Sequence, residues 1–394
     1  VQVTEQFDAD VLVVGAGPAG SSSAFHLARR GLHILLVDRA VFPREKVCGD
    51  GLTPRAVRAM TAMGVGPIGN GFALVRGVRM HSEGGSPVEF AWPVSGAFPP
   101  VGLVRRRAHF DAALLSRAVD AGAEFLPGTA ARRPVLDGGR VAGAVLSESG
   151  GHERTVRARW TIAADGASSR FAAQAGVRRR ISAPVAIAAR GYYRSTRQDL
   201  EFLEAFLTLR DGRRILPGYG WIFPMGGGVV NAGAYVVRRD GDPWKGSART
   251  ALSAFLAGLP LAWGIDTGAP VGPVGSAPIP MAVNREPLAV PGMLVVGDAG
   301  GIVNPFTGEG IAYAMESGEL AARCIVRSIR SGDPSDGARY AELIRARYGR
   351  FFASGRWFCR AIGKPSLMRL GSAWGMRMPP LARPFLRAMV HVSG

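Results

Sequence analysis

Three cysteines in 394 residues leave little for disulfides or a thiolate metal site. An odd, low count in a long chain points to reduced thiols and a cytoplasmic setting. Cys48, Cys324 and Cys359 also lack metal-ligand spacing, so no metal is expected. No unbroken apolar run approaches the ~18 to 20 residues of a membrane span. The first residues hold no positively charged stretch followed by an apolar one, so no secretory signal is expected. Internal repeats and low-complexity linkers are absent. Lysine is scarce: Lys46, Lys245 and Lys364 are three of 48 basic residues, against 30 acidic ones. The net charge of +18 is therefore carried by arginine. It admits three readings: a solvated arginine-rich surface, attraction to anionic small molecules, or contact with an anionic membrane surface. Nucleic-acid binding is disfavoured, because the basic residues are dispersed and no reader motif accompanies them.

What is present is apolar bulk, 47% of residues, enough for one large core or two fused lobes. Residues 10–14 and 33–37 read as short buried parallel strands flanking a helix over 18–30. Further helices are expected over 54–63, 107–121, 248–259, 310–330 and 336–352. Segments 124–164 and 185–240 read as strands, and 293–296 as a third short buried strand.

Three motifs carry chemistry. Gly15-Ala16-Gly17-Pro18-Ala19-Gly20 lies between strand and helix, as a dinucleotide fingerprint requires. Gly15 allows the turn, Gly17 the approach of a pyrophosphate, and Gly20 close helix packing. The helix N-terminus offers free N–H groups to phosphate. Asp38, at the end of the second strand, is placed to bond ribose hydroxyls. Leu294-Val295-Val296-Gly297-Asp298-Ala299-Gly300 again runs a strand into glycines, and Asp298 there suits a polyol such as the ribityl chain of a flavin. The turn through Gly308 and Gly310 can present backbone N–H groups to a flavin's pyrimidine edge. Ala164-Asp165-Gly166-Ala167-Ser168-Ser169-Arg170 is the third; a capped turn is its plainer reading.

In their order along the chain, fingerprint, Asp165-Gly166 segment and Gly297-Asp298 segment, the three resemble the group A flavoprotein monooxygenase superfamily, of the para-hydroxybenzoate hydroxylase type. The resemblance implies FAD. It adds Arg39, Arg44, Gly49, Arg107, Pro305 and Ile311 to the expected flavin contacts, with Arg105 and Arg106 as neighbours that blur Arg107 by a residue or two. Phe42-Pro43-Arg44-Glu45-Lys46-Val47-Cys48-Gly49-Asp50-Gly51 is similar to the geranylgeranyl reductase family, and its continuation through Ala56 to the actinobacterial menaquinone-reductase members. Tyr219-Gly220-Trp221-Ile222-Phe223-Pro224 resembles the family's lipid-cavity block. Met225 departs from it where many reductases have lysine, which suits a neutral, apolar substrate.

The fold implied is α/β. A Rossmann-like FAD-binding domain is discontinuous in sequence, at 8–80, 100–175 and 275–335. A β-sheet-rich substrate domain spans 81–99 and 176–274, and a helical C-terminal region spans 336–394. The reaction implied is reduction of a prenyl-chain double bond, with NADPH or NADH docking transiently as the electron source. Cys48, Tyr219 and Trp221 are the expected catalytic residues, with Cys48, Tyr219 or water as proton donor. Lys46 is placed to lower the Cys48 pKa if both face one way. Cys324, Cys359, His26, His33 and His109 read as structural. The alternative is a monooxygenase acting on an apolar secondary metabolite; a halogenase and a flavin-binding sensor rank below it. The basic, amphipathic tail 355–394, with Trp357, Trp374 and Phe385 among arginines, suits either peripheral contact at the inner face of a membrane or packing over the substrate lobe.

Overall fold

The apolar runs at the N-terminus form two neighbouring strands, Ala9–Val14 and Ile34–Val37, paired in parallel with Val11 opposite Ile34. Both are buried nearly throughout, the pattern of strands covered on both faces. The computed structural model describes residues 7–66, 71–94, 96–148, 150–181, 183–197, 200–238, 244–362 and 391. Its first sheet runs Met293–Val295, Glu153–Ala163, Ala9–Val14, Ile34–Val37, Glu124–Leu126, all parallel. Ala289–Val290 joins one edge, and the hairpin Ala130–Asp137 and Arg140–Ser147 pairs with Glu153–Ala163. Strands from both ends of the chain thus meet in one sheet.

The helix Pro18–Ala28 starts directly after the glycine turn, with proline in the first turn where its missing N–H costs nothing. It lies close against Ile311–Ser331. Ser22 Oγ donates to the Met315 carbonyl at 2.7 Å, and a Cβ on Gly318 would run into the Ala19 carbonyl at 2.5 Å.

A second sheet of seven strands has the order Gly275–Pro280, Val185–Arg194, Val229–Arg238, Gly218–Gly226, Phe202–Phe206, Gly77–His81, Val88–Ala91. Gly77–His81 and Gly275–Pro280, at the rims of the expected FAD-binding segments, belong to this sheet. Period-two alternation divides its faces. Val230, Ala232, Ala234 and Ile222 pack beneath the helix Ala248–Ala257 with Trp244 and Trp263. Tyr219, Trp221, Phe223 and Tyr235 face the other way, into a cavity between the sheets.

The remaining α-helices among the described residues are Pro54–Ala62, Arg107–Asp120, Arg170–Gln174 and Pro334–Ile362. The last was expected to end at residue 352 but runs ten residues further. Gly355 does not break it, because its bare backbone packs on Pro305 and Phe306, where a Cβ would collide. That contact offsets the ~1 kcal/mol helix cost of glycine. Residues 363–390 and 392–394 of the expected amphipathic tail lie outside the described residues. Among the described residues no helix is long and apolar enough to cross a membrane.

Candidate active site

One cavity of about 1430 Å³ runs from the glycine turn to the Tyr219 block. It exceeds the ~300–1,000 Å³ of common small-molecule sites, leaving room for a dinucleotide and a second molecule. Gly15, Gly17, Pro18, Ala19, Asp38, Arg39, Arg44, Cys48, Gly49, Arg107, Asp165, Asp298, Gly308, Gly310 and Ile311 line it, with Tyr219 and Trp221 on the far wall. Gly20, Gly297 and Pro305 do not, and each supports the lining from behind. A Cβ on Gly20 would collide with the Gly15 carbonyl, and one on Gly297 would press on Ala19. The Pro305 carbonyl accepts from Cys359 Sγ at 3.0 Å.

The glycine end fits FAD. No side chain caps the Pro18–Ala28 helix at Gly17, so its first N–H groups remain for a pyrophosphate. Gly15 has φ +101°, and a Cβ there would run into the Ala164 carbonyl. Asp38 shapes this turn: its Oδ2 accepts from Ala16 N at 2.8 Å and its Oδ1 from Ala40 N at 2.9 Å. Asp165, pushed up by burial, accepts from Ser169 Oγ and Phe171 N, both at 3.0 Å.

Of the three consecutive arginines only Arg107 lines the cavity. Arg105 covers Phe72 and Arg106 covers Tyr192. Arg107 Nε and Nη2 donate to the buried Asp111 at 2.6 and 2.8 Å, and Arg44 reaches the same carboxylate at 3.0 Å. Burial alone would lower the Arg107 pKa, but Asp111 and Cys48 raise it.

Cys48 is half-buried, its Sγ accepting from Asp50 N at 3.3 Å. Burial raises its pKa, Asp50 adds to the rise, and Arg107 opposes it. The expectation for Lys46 is therefore corrected: the cation acting on the thiol is Arg107, and the net shift is upward. The Tyr219 hydroxyl donates to the Thr307 carbonyl at 2.6 Å. Burial and the Cys48 charge raise its pKa.

Behind Cys48 lies a network that sequence reasoning missed. Asp50 is fully buried at φ +65°. Its Oδ2 accepts from Tyr192 Oη at 2.6 Å and Asn231 Nδ2 at 2.9 Å, and its Oδ1 from Arg107 N at 3.2 Å. Asn231 Nδ2 also donates to the Cys48 carbonyl at 2.8 Å, while its Oδ1 accepts from Trp221 Nε1 at 3.0 Å. One carboxamide thus ties the cysteine loop to the aromatic block. Only strand register places it there, opposite both Tyr192 and Phe223. Gly233 is bare where the Trp221 ring lies, and Gly220 where Phe255 presses from the far face.

Two other residues were missed. Arg285 donates to the carbonyls of Asp298 and Ala299 at 3.0 and 3.2 Å, and to that of Ala167, joining two of the motifs. Glu309, between the turn glycines, is pushed up to about 7 by burial, while its Oε1 accepts from Ala312 N at 2.8 Å. Asp111 carried a legible signal, four residues after Arg107 on one helix; Asn231 and Arg285 carried none.

A family model described as an FAD binding domain matches residues 8–347. The chain is 37% identical over 387 residues to a menaquinone reductase of Mycobacterium tuberculosis, covering 98% of this chain and 91% of that protein. It is 33% identical over 332 residues to a digeranylgeranylglycerophospholipid reductase of Methanosarcina acetivorans, covering 83% and 77%. A solved structure of a geranylgeranyl bacteriochlorophyll reductase-like protein from Thermoplasma acidophilum superposes with a TM-score of 0.78 at 27% identity, over 92% of this chain and 90% of that one. The chain belongs to the FAD-binding family matched here and, within it, to the geranylgeranyl reductase family.

Proposed function

We propose that this chain is an FAD-dependent oxidoreductase that saturates a double bond in a prenyl chain, on menaquinone or a geranylgeranyl group. The observation that carries the reading is the shape of one continuous cavity: a glycine-turn end built for a dinucleotide, and an apolar end beyond Cys48. Met80, Phe90, Leu203, Trp221 and Phe223 line that far end. Met225 packs beside it against the cluster of Val75, Phe90 and Trp92, so the wall suits an uncharged chain.

Bound FAD supplies hydride chemistry, with NADPH or NADH as the transient electron source. The expected flavin contacts act from the glycine turn, Asp38, Arg39, Arg44, Arg107, Asp165 and Asp298. An isolated alkene accepts hydride poorly, so a proton must reach the neighbouring carbon at the same time. Cys48 is the better placed donor, since Tyr219 already donates to a carbonyl. Burial keeps the thiol protonated at rest, and Arg107 stabilises the thiolate left behind until solvent returns the proton. Trp221, held by Asn231, fixes the chain against that thiol.

The test is a product mass. Enzyme, NAD(P)H and a prenylated quinone, with the ring reoxidised to the quinone before analysis, should give a product heavier by two hydrogens. A product heavier by one oxygen overturns the reading in favour of a monooxygenase.

A further inference from the structure

On the wall that the second sheet gives the cavity, four aromatic donors are already engaged. Tyr219 Oη donates to the Thr307 carbonyl at 2.6 Å, Tyr235 Oη to Met281 Sδ at 2.9 Å, Trp221 Nε1 to Asn231 Oδ1 at 3.0 Å and Trp92 Nε1 to the Val75 carbonyl at 3.1 Å. Such a wall grips a prenyl chain but cannot set its register, because successive isoprene units look alike to it. A site that is to reduce one particular double bond needs a polar hold on the head of the chain.

Arg190 meets that need. It lines the cavity from the strand Val185–Arg194, outside the expected flavin contacts, and is 3% exposed. Among the described residues its hydrogen bonds leave from Nη2 alone, to Glu45 at 2.9 Å and the Lys46 carbonyl at 3.3 Å. Nη1 is left over, and Nε is buried without a partner. A buried cation with unengaged donors is costly, and a ligand oxygen relieves that cost. Its guanidinium carbon stands 4.2 Å from the centre of the Tyr192 ring. Tyr192 follows two residues on along the same strand face, ~7 Å away. The Tyr192 hydroxyl bonds to Asp50, whose N–H meets Cys48 Sγ. The unengaged donors thus stand beside the cysteine loop.

We propose that Arg190 holds the head of the substrate, a hydrogen-bond-accepting oxygen next to the prenyl chain, and so selects which double bond stands at Cys48. This rests on the prenyl-reductase reading. Glu45 already balances the guanidinium charge, so a neutral quinone oxygen fits better than a diphosphate. Lys46 also lines the cavity, and is the further cation that a diphosphate would engage.

The experiment gives FAD-loaded enzyme two substrates with the same chain, a polyprenyl quinone and a polyprenyl diphosphate. One readout is the position of saturation, from fragment masses of the product. The other is the dissociation constant of the fully saturated analogue, from its perturbation of the flavin absorbance. The parent should saturate one position. Arg190→Gln should bind the saturated quinone about tenfold to a hundredfold more weakly and spread saturation over several positions. Arg190→Lys keeps the charge but loses the planar fork, should fall between, and carries the test where Arg190→Gln does not fold. Glu45→Gln, at a side chain 57% exposed, removes the ion pair but not the head contact and should keep the single position. Parent-like affinity and a single position in either arginine variant overturn the proposal. So does Glu45→Gln reproducing their defect, the result if the arginine only ties down the loop. A loss confined to the diphosphate supports the anchor and assigns it an anionic head. If the parent reduces neither substrate yet binds the saturated quinone through Arg190, the prenyl-reductase reading fails and the head contact stands.

Discussion

Asn231→Leu removes the carboxamide hub while nearly preserving volume, so the cavity term is small and the loss is polar. Three hydrogen bonds go: from Trp221 Nε1, to the Cys48 carbonyl, and to Asp50 Oδ2. Two of the groups left behind are neutral, at ~1 kcal/mol each, and one is a buried carboxylate, at ~2 kcal/mol. The expected loss is about 4 kcal/mol, a large part of the ~5–15 kcal/mol of a typical domain. Trp221→Phe breaks only one of these bonds, at about 1 kcal/mol, and adds the cost of the ring atoms it removes from a buried site. Because both changes remove that same bond, the double variant should cost less than the sum of the singles. Urea unfolding followed by circular dichroism measures all three, provided the m-value is unchanged. Asn231→Leu within about 1 kcal/mol of the parent, or strict additivity, refutes the hub.

The other expectations follow from single contacts. At Gly17 a methyl would meet only Arg44, at 3.4 Å, so Gly17→Ala should fold normally but purify with FAD affinity at least about tenfold lower, since the methyl stands where the pyrophosphate approaches; undiminished flavin content contradicts this. Arg285→Met should loosen both carbonyl clusters that it joins, costing about 2–3 kcal/mol and raising the FAD dissociation constant; parent-like values for both would show the arginine to be idle. Glu309 titrates near 7 when folded but near ~4.3 when unfolded. Over that window the unfolded state holds fewer protons than the fold, so stability falls as pH rises. Glu309→Gln has no such proton, and its melting temperature should gain on the parent's between about pH 5 and about pH 8. A difference constant with pH contradicts the assignment.

The FAD-binding half of the fold was legible because it is local. The glycine turn, the uncapped helix and Asp38 fall within one strand–helix–strand unit whose spacing dictates its geometry. The strand at 293–295 was legible for the same reason, as an apolar run ending in glycine. What stayed hidden depends on register between distant strands. Asn231 has no motif of its own, and becomes central only because its strand pairs with those carrying Tyr192 and Phe223. Lys46 misled because two residues along a loop need not share a face, whereas Arg107, distant in sequence, reaches the thiol from a helix. The last helix runs past the expected residue 352 because Gly355 packs on Pro305, a contact fifty residues away in sequence.

The most direct test of the central proposal is a single turnover without oxygen. The enzyme is reduced with one equivalent of NAD(P)H and mixed anaerobically with a prenylated quinone whose ring is already reduced, so that the chain is the only acceptor. The expected result is return of the oxidised-flavin absorbance at a rate that rises with substrate and is lost in Cys48→Ala, with the chain recovered one double bond poorer. Flavin that stays reduced until oxygen is admitted contradicts it.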